Sequence, residues 1–255
     1  MPTEAERPIV PVAATSIDRP RAVRVLLIVL SVTAGCSDVI GSLGLNGLFT
    51  AHITGNLVIL AAHVVGGGEA QIAPMLSVPV FIVMIGFTRF IVGRLESIGL
   101  AALRPLLLLH FLLLAGFLAL CVAAGPGADP NTMVPILAGM LGVSAMAVQN
   151  ALVPISFKGA PATAVMTSNV AHFAMDVAEV LFGRNPRDVA AARDRAACTL
   201  PVIVGFSFGC AIGAACEAAF GLSSLALPAG LALFAFATGF AADTDGGRSS
   251  SRLRT

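Results

Sequence analysis

FTAHITGNLVILAAH, residues 49–63, is apolar enough to enter a lipid bilayer, yet it carries His52, Thr54, Gly55, Asn56 and His63. A continuous spanning helix needs about 20 mostly apolar residues, and this run is both short and interrupted. Glycine inside a helix costs about 1 kcal/mol relative to alanine, while Thr and Asn side chains can bond the backbone groups that a break sets free. Thr54-Gly55-Asn56 therefore predicts a break, or a helix start, in an apolar setting.

A second copy of the pattern lies further along. TAHITGNLV at 50–58 is matched by TAVMTSNVA at 163–171, so that Thr167 and Asn169 answer Thr54 and Asn56 at one offset (167 − 54 = 169 − 56 = 113). Upstream, GCSD at 35–38 faces VQNA at 148–151, which sets Asp38 opposite Gln149 and Asn150. Downstream, SVPVFIVMIG at 77–86 resembles TLPVIVGFSFG at 199–209. The order is the same in both halves, as an ancient duplication would leave it. It predicts two membrane repeats, 22–124 and 132–242, between a disordered cytoplasmic arm at 1–21 and a basic, mobile tail at 243–255.

Composition fixes the class. The 255 residues are 57% hydrophobic and 11% charged, with a mean hydropathy of +0.92, whereas soluble domains are about 45–50% apolar and about 25% charged. Backbone polar groups in lipid must be paired internally, so spanning segments are helices or closed barrels. The long Ala- and Leu-rich runs, without the alternation of a barrel, predict an all-α integral membrane bundle. A net charge of +1 is neutral on nucleic acid, and with no basic patch to grip phosphates that partner is set aside. Five scattered cysteines give neither a zinc site nor a redox pair, and no cofactor or metal is expected. No cleavable leader is recognisable ahead of the first apolar run.

Eight apolar segments can be marked, at about 22–45, 49–66, 73–93, 104–124, 132–153, 162–182, 199–219 and 222–242. Arg and Lys in short loops stay on the cytoplasmic side. Eight full crossings would put Arg94 and Arg104 outside. If the polar second and sixth segments enter without crossing, every basic cluster falls inside, and the outer loops hold only Glu69 and Asp129. The expectation is six spanning helices with two re-entrant or broken segments and mutually inverted halves; eight spanning helices are the alternative.

AGCSD at 34–38, FTAHITGN at 49–56 and VQNALV at 148–153 resemble the YoaK family of bacterial membrane proteins, whose function is unassigned. The likeness runs from about residue 25 to 240. It departs at Ile53, where the family has Met, and at Ser168, where Gly would stand. It implies a multi-pass protein of the bacterial cytoplasmic (inner) membrane, and it names no substrate.

Two interpretations of the polar residues stay open. A helix N-terminus inside a membrane presents amide donors and a positive dipole end, so Thr54, Gly55, Asn56, Thr167 and Asn169 could build a solute site. The same residues could instead let helices pack closely and bond across one another. Ionisable groups in a membrane tend to face an interior or a watery path. Asp38, His52, His63, His172 and Asp176 are thus candidates for an ion or proton pathway, with Gln149 and Asn150 as the polar counterparts of Asp38 on it and with His172 and Asp176 four apart on one helix face. His110 reads as a packing histidine, and the Gly205, Gly209, Gly213 stripe as tight helix contact within the fold or between subunits. The leading expectation is a transporter or channel for a small solute, with proton coupling as an option. A membrane accessory or scaffold protein without transport activity is the alternative, and a homo-oligomer is compatible with either; an enzyme is disfavoured, since no nucleophile elbow or clustered metal set is present.

Overall fold

A computed structural model describes residues 20–66 and 72–252, with side chains described as far as Gly239. The described chain is all-helical: α1 (Arg21–Gly44), α2 (Ile53–Gly66), α3 (Ile72–Ser97), α4 (Leu103–Ala124), α5 (Met133–Ser156), α6 (Met166–Phe182), α7 (Pro186–Phe220), a 3₁₀ turn (Gly221–Leu225) and α8 (Ala226–Arg252). Nearly all of the arm expected at 1–21 and the Glu69 loop lie outside the described residues. The tail expected as mobile from 243 continues α8 as helix to Arg252.

Among the described residues, five helical stretches are long and apolar enough to cross a membrane, the last of them running from Pro186 through α7 into α8. Large apolar side chains such as Val58, Ile82, Phe90, Leu112 and Phe208 are left exposed around the bundle, where lipid rather than water would cover them. The protein is a helical membrane bundle. α2 and α6 are different: at 14 and 17 residues and 1.5 Å per residue they reach only about 21 and about 26 Å, less than the roughly 30 Å of a hydrocarbon core.

The core is built around α1 and α5. α1 packs most extensively on α7 and then on α8, and α5 on α4 and α3. Glycines set the first of these contacts: Gly205 faces Ile28, Gly209 faces Val32 and Gly213 faces Cys36. Both series rise together, so α1 and α7 run parallel. A Cβ at Gly209 or at Gly35 would collide with backbone of the opposite helix, and the Cys36 thiol donates to the Gly209 carbonyl at 3.2 Å. The glycine stripe is therefore helix packing within one chain.

α5 runs the other way. Its Gln149 donates to the Leu30 carbonyl in the first half of α1, while its Gly139 faces Leu45 and Leu48, just past the end of α1. Gly239, well along α8, faces Leu107, one turn into α4, which puts the starts of α1, α4 and α7 at one end of the bundle. Arg21, Arg24, Arg104, Lys158 and Arg195 gather at that end, and Asp129 lies at the other.

Candidate functional site

Each short helix is the second arm of a segment that turns back into the bundle. After α1 the chain reverses through Asn46 (φ 52) and Gly47 (φ 87), a left-handed geometry that Asn and Gly tolerate best. It then runs back beside α1 until the Ala51 and His52 amides donate to Asp38 Oδ1, at 2.7 and 3.3 Å. Asp38 lies six residues before the end of α1, so the chain has re-entered by about 9 Å. There α2 begins, at Ile53. It returns towards the end from which the chain came, because Asn56 in its first turn already bonds Ser77 near the start of α3.

After α5 the same happens from the opposite end. The chain reverses at Gly159 (φ 71), 113 positions after Asn46 (159 − 46 = 113). Thr163 then comes level with Gln149, whose amide donates to its hydroxyl at 2.9 Å, seven residues before the end of α5. α6 starts at Met166 and goes back beside α7.

An asparagine clasps each re-entrant turn. Asn56, fully buried, donates to the Phe49 carbonyl at 2.7 Å, accepts from the Phe49 amide at 2.9 Å and donates to Ser77. Asn169, also buried, donates to the Ala162 carbonyl at 2.6 Å. Both bonds reach back seven residues, and their acceptors keep the offset (162 − 49 = 113).

The first turn carries the one close pair of ionisable side chains at the tip of a re-entrant helix. His52 Nδ1 lies 2.5 Å from Asp38 Oδ2, with the carboxylate buried and the imidazole side chain 37% exposed. Phe49 and Phe206 of α7 both meet the His52 ring edge-to-face. The start of α2 and the exposed Thr54 stand beside this pair, so the tip combines a carboxylate, an imidazole and a helix N-terminus. That set can exchange a proton or hold a small polar or ionic solute.

The other expected residues go elsewhere. Asp176 takes two bonds from Arg195 of α7, at 2.9 and 2.6 Å, and His172 is exposed on α6. His63, near the end of α2, bonds the Ile59 carbonyl. Asn150 bonds Met146 within α5. Thr167 is exposed at the start of α6, and Gly55 packs on Phe49. Asp38, Asn56, Asn169 and Asp176 thus engage separate partners and do not converge on one cavity.

Several participants were not singled out from sequence: Thr50, Thr163, Ser77, Arg195 and Phe206. Thr50 and Thr163 had a signal, for they open the two matching nonapeptides at the common offset, and both are buried. Arg195 had none beyond its charge. His110 of α4 is fully buried with Gln149 as its polar neighbour; neither its ring nitrogens nor Gln149 Oε1 has a well-formed hydrogen bond. No group of three or more potential metal ligands occurs among the described residues.

A family model described as "Protein of unknown function (DUF1275)" matches residues 26–238. No curated protein and no solved structure matches the chain.

Proposed function

We propose that this chain, which belongs to the DUF1275 family of proteins of unknown function, is a transporter or channel for a small solute, built from two inverted copies of a four-helix unit. The observation that carries the reading is the pair of short helices α2 and α6, each starting inside the bundle after a re-entrant turn and each entering from the opposite end. Inverted repeats with discontinuous helices whose N-termini lie within the membrane are a transporter architecture.

The packing supports a duplication. Exchanging α1–α4 with α5–α8 turns the α1/α7 contact into α5/α3, α1/α8 into α5/α4 and α2/α3 into α6/α7, and all six pairs are in contact. The repeats are those of residues 22–124 and 132–242, giving six crossing helices and two re-entrant ones. Arginines gathered at one end favour a cytoplasmic placement for it, and the YoaK-like motifs favour the bacterial inner membrane.

In this reading the solute or proton meets Asp38, His52 and the N-terminus of α2. Asp176 and His172 leave the pathway, since Asp176 is held by Arg195. A second reading, an accessory protein whose polar residues only fix the fold, is favoured by one observation: Asn56, Asn169 and Asp176 are all bonded locally.

Stopped-flow light scattering on proteoliposomes separates the two. Vesicles would be challenged in turn with urea, glycerol, ammonium chloride and potassium acetate, and pyranine-loaded vesicles with a pH step. Transport predicts a faster response than protein-free vesicles for at least one probe, cut about tenfold or more by Asp38→Asn. Responses equal to protein-free vesicles throughout, with His52→Cys closed to water-soluble maleimide from both faces, would establish the accessory role.

A further inference from the structure

α1 and α7 touch closely from Gly205 upward, and towards the arginine-bearing end residues of both helices line a cleft. It measures about 390 Å³ and is lined among others by Arg21, Arg24, Ile28, Cys198, Pro201 and Val202, within the roughly 300–1,000 Å³ of small-ligand pockets. Arg21 and Arg24 are three apart and so share one helix face. Both are exposed, no acidic residue lines the cleft, and among the described residues neither arginine is in an ion pair.

The level of the cleft in the bundle is informative. α1 turns apolar after Arg24 and α7 after Arg195, with Ala197, Cys198 and Pro201 of α7 beside Arg21 and Arg24. α7 makes the change lower than α1, since the Gly205–Ile28 register sets Pro201 level with Arg24 and Arg195 about 9 Å below it; the cleft lies in the band between, where lipid headgroups meet acyl chains. The lining of the cleft combines the same two characters, the charged Arg21 and Arg24 with the apolar Ile28, Pro201 and Val202.

We propose that this cleft binds an anionic phospholipid of the leaflet on the arginine side, its phosphate held by Arg21 and Arg24 and its first acyl methylenes lying on Ile28, Pro201 and Val202. Arginine matches a phosphate bidentately, and basic pockets between membrane helices recognise acidic headgroups. A zwitterionic lipid offers the same chains without net charge. Free phosphate offers the charge without the chains.

Thermal unfolding of the full-length protein in neutral detergent tests this, with added phosphatidylglycerol, phosphatidylcholine of the same acyl chains, or inorganic phosphate at equal concentration. Phosphatidylglycerol is expected to raise Tm by about 5 °C, with phosphatidylcholine and phosphate near zero, and Arg21→Gln with Arg24→Gln is expected to lose most of the rise. Equal shifts for the two lipids, a full shift with phosphate alone, no shift with either lipid, or a double variant that keeps the shift would each overturn the proposal. Should the double variant not fold, native mass spectrometry of the wild type from equimolar mixed micelles decides. At least threefold more phosphatidylglycerol than phosphatidylcholine retained supports the site, and equal retention overturns it.

Discussion

Asn56 and Asn169, 113 residues apart, make the same bond: each side-chain amide donates to the carbonyl seven residues before it, Phe49 in one case and Ala162 in the other. The two bonds tie the start of a short helix to the non-helical segment of chain that leads into it. They hold both re-entrant turns, yet they are not equal.

Asn56 has three partners and Asn169 has one backbone carbonyl and a weak contact to the Met166 sulfur at 3.8 Å. Removing a buried partner leaves the other groups unsatisfied, at about 1–3 kcal/mol each. Asn56→Ala is expected to lower stability by about 3 kcal/mol and Asn169→Ala by about half as much, measured by thermal unfolding in detergent. Equal losses would mean that the two clasps carry the same load despite their different partners.

Gly209 and Gly205 lie one turn apart on α7 but face different surroundings. A Cβ at Gly209 meets the Val32 carbonyl and Cα of α1, backbone that cannot swing aside, whereas at Gly205 its nearest neighbours are at 3.4 Å or more. Overpacking of this kind costs about 1–3 kcal/mol. Gly209→Ala should therefore lower Tm by several degrees and Gly205→Ala by little, and the reverse order would contradict the α1/α7 register.

Asp176 is bonded by Arg195, whose side chain is 60% exposed. Pairs with an exposed partner contribute about 0–1 kcal/mol. Asp176→Asn is expected to cost no more than that and to leave the pH profile of any proteoliposome flux where it was. A displaced profile would return Asp176 to the proton pathway.

His110 is fully buried without a well-formed hydrogen bond. An apolar residue of similar bulk removes two polar atoms that burial penalises. His110→Leu is expected to keep or raise Tm by a few degrees, read in the same unfolding assay. A fall of comparable size would reveal a bonded histidine, with Gln149 as its partner.

Much of this was legible along the chain. Apolar runs, bounded by Gly, Pro and charge, marked the apolar part of all eight helices, but α7 starts at Pro186, well before its apolar run at 199, since a bilayer demands long apolar stretches while a helix can continue through polar sequence outside it. Thr54-Gly55-Asn56 and Thr167-Ser168-Asn169 marked the starts of α2 and α6 within two residues, because a break in a helix must be chemically accommodated where it occurs. Asp38 with His52 was a different matter. Both were candidates, but as separate acids and bases fourteen residues apart.

Sequence by itself thus determined the class, the element order and the place of the two breaks, all of which depend on short-range periodicity and on the cost of polar groups in an apolar medium. Only the tertiary structure decided the pairings: Asp38 with His52, Gln149 with Thr163 and Leu30, Asp176 with Arg195 rather than with its helix neighbour His172, and the glycine stripe of α7 against α1. The reason is physical. A side chain's own position fixes what it can donate or accept, but the partner is fixed by which helices run side by side, in which direction and at what height. Those are properties of the packed bundle, and no local stretch contains them.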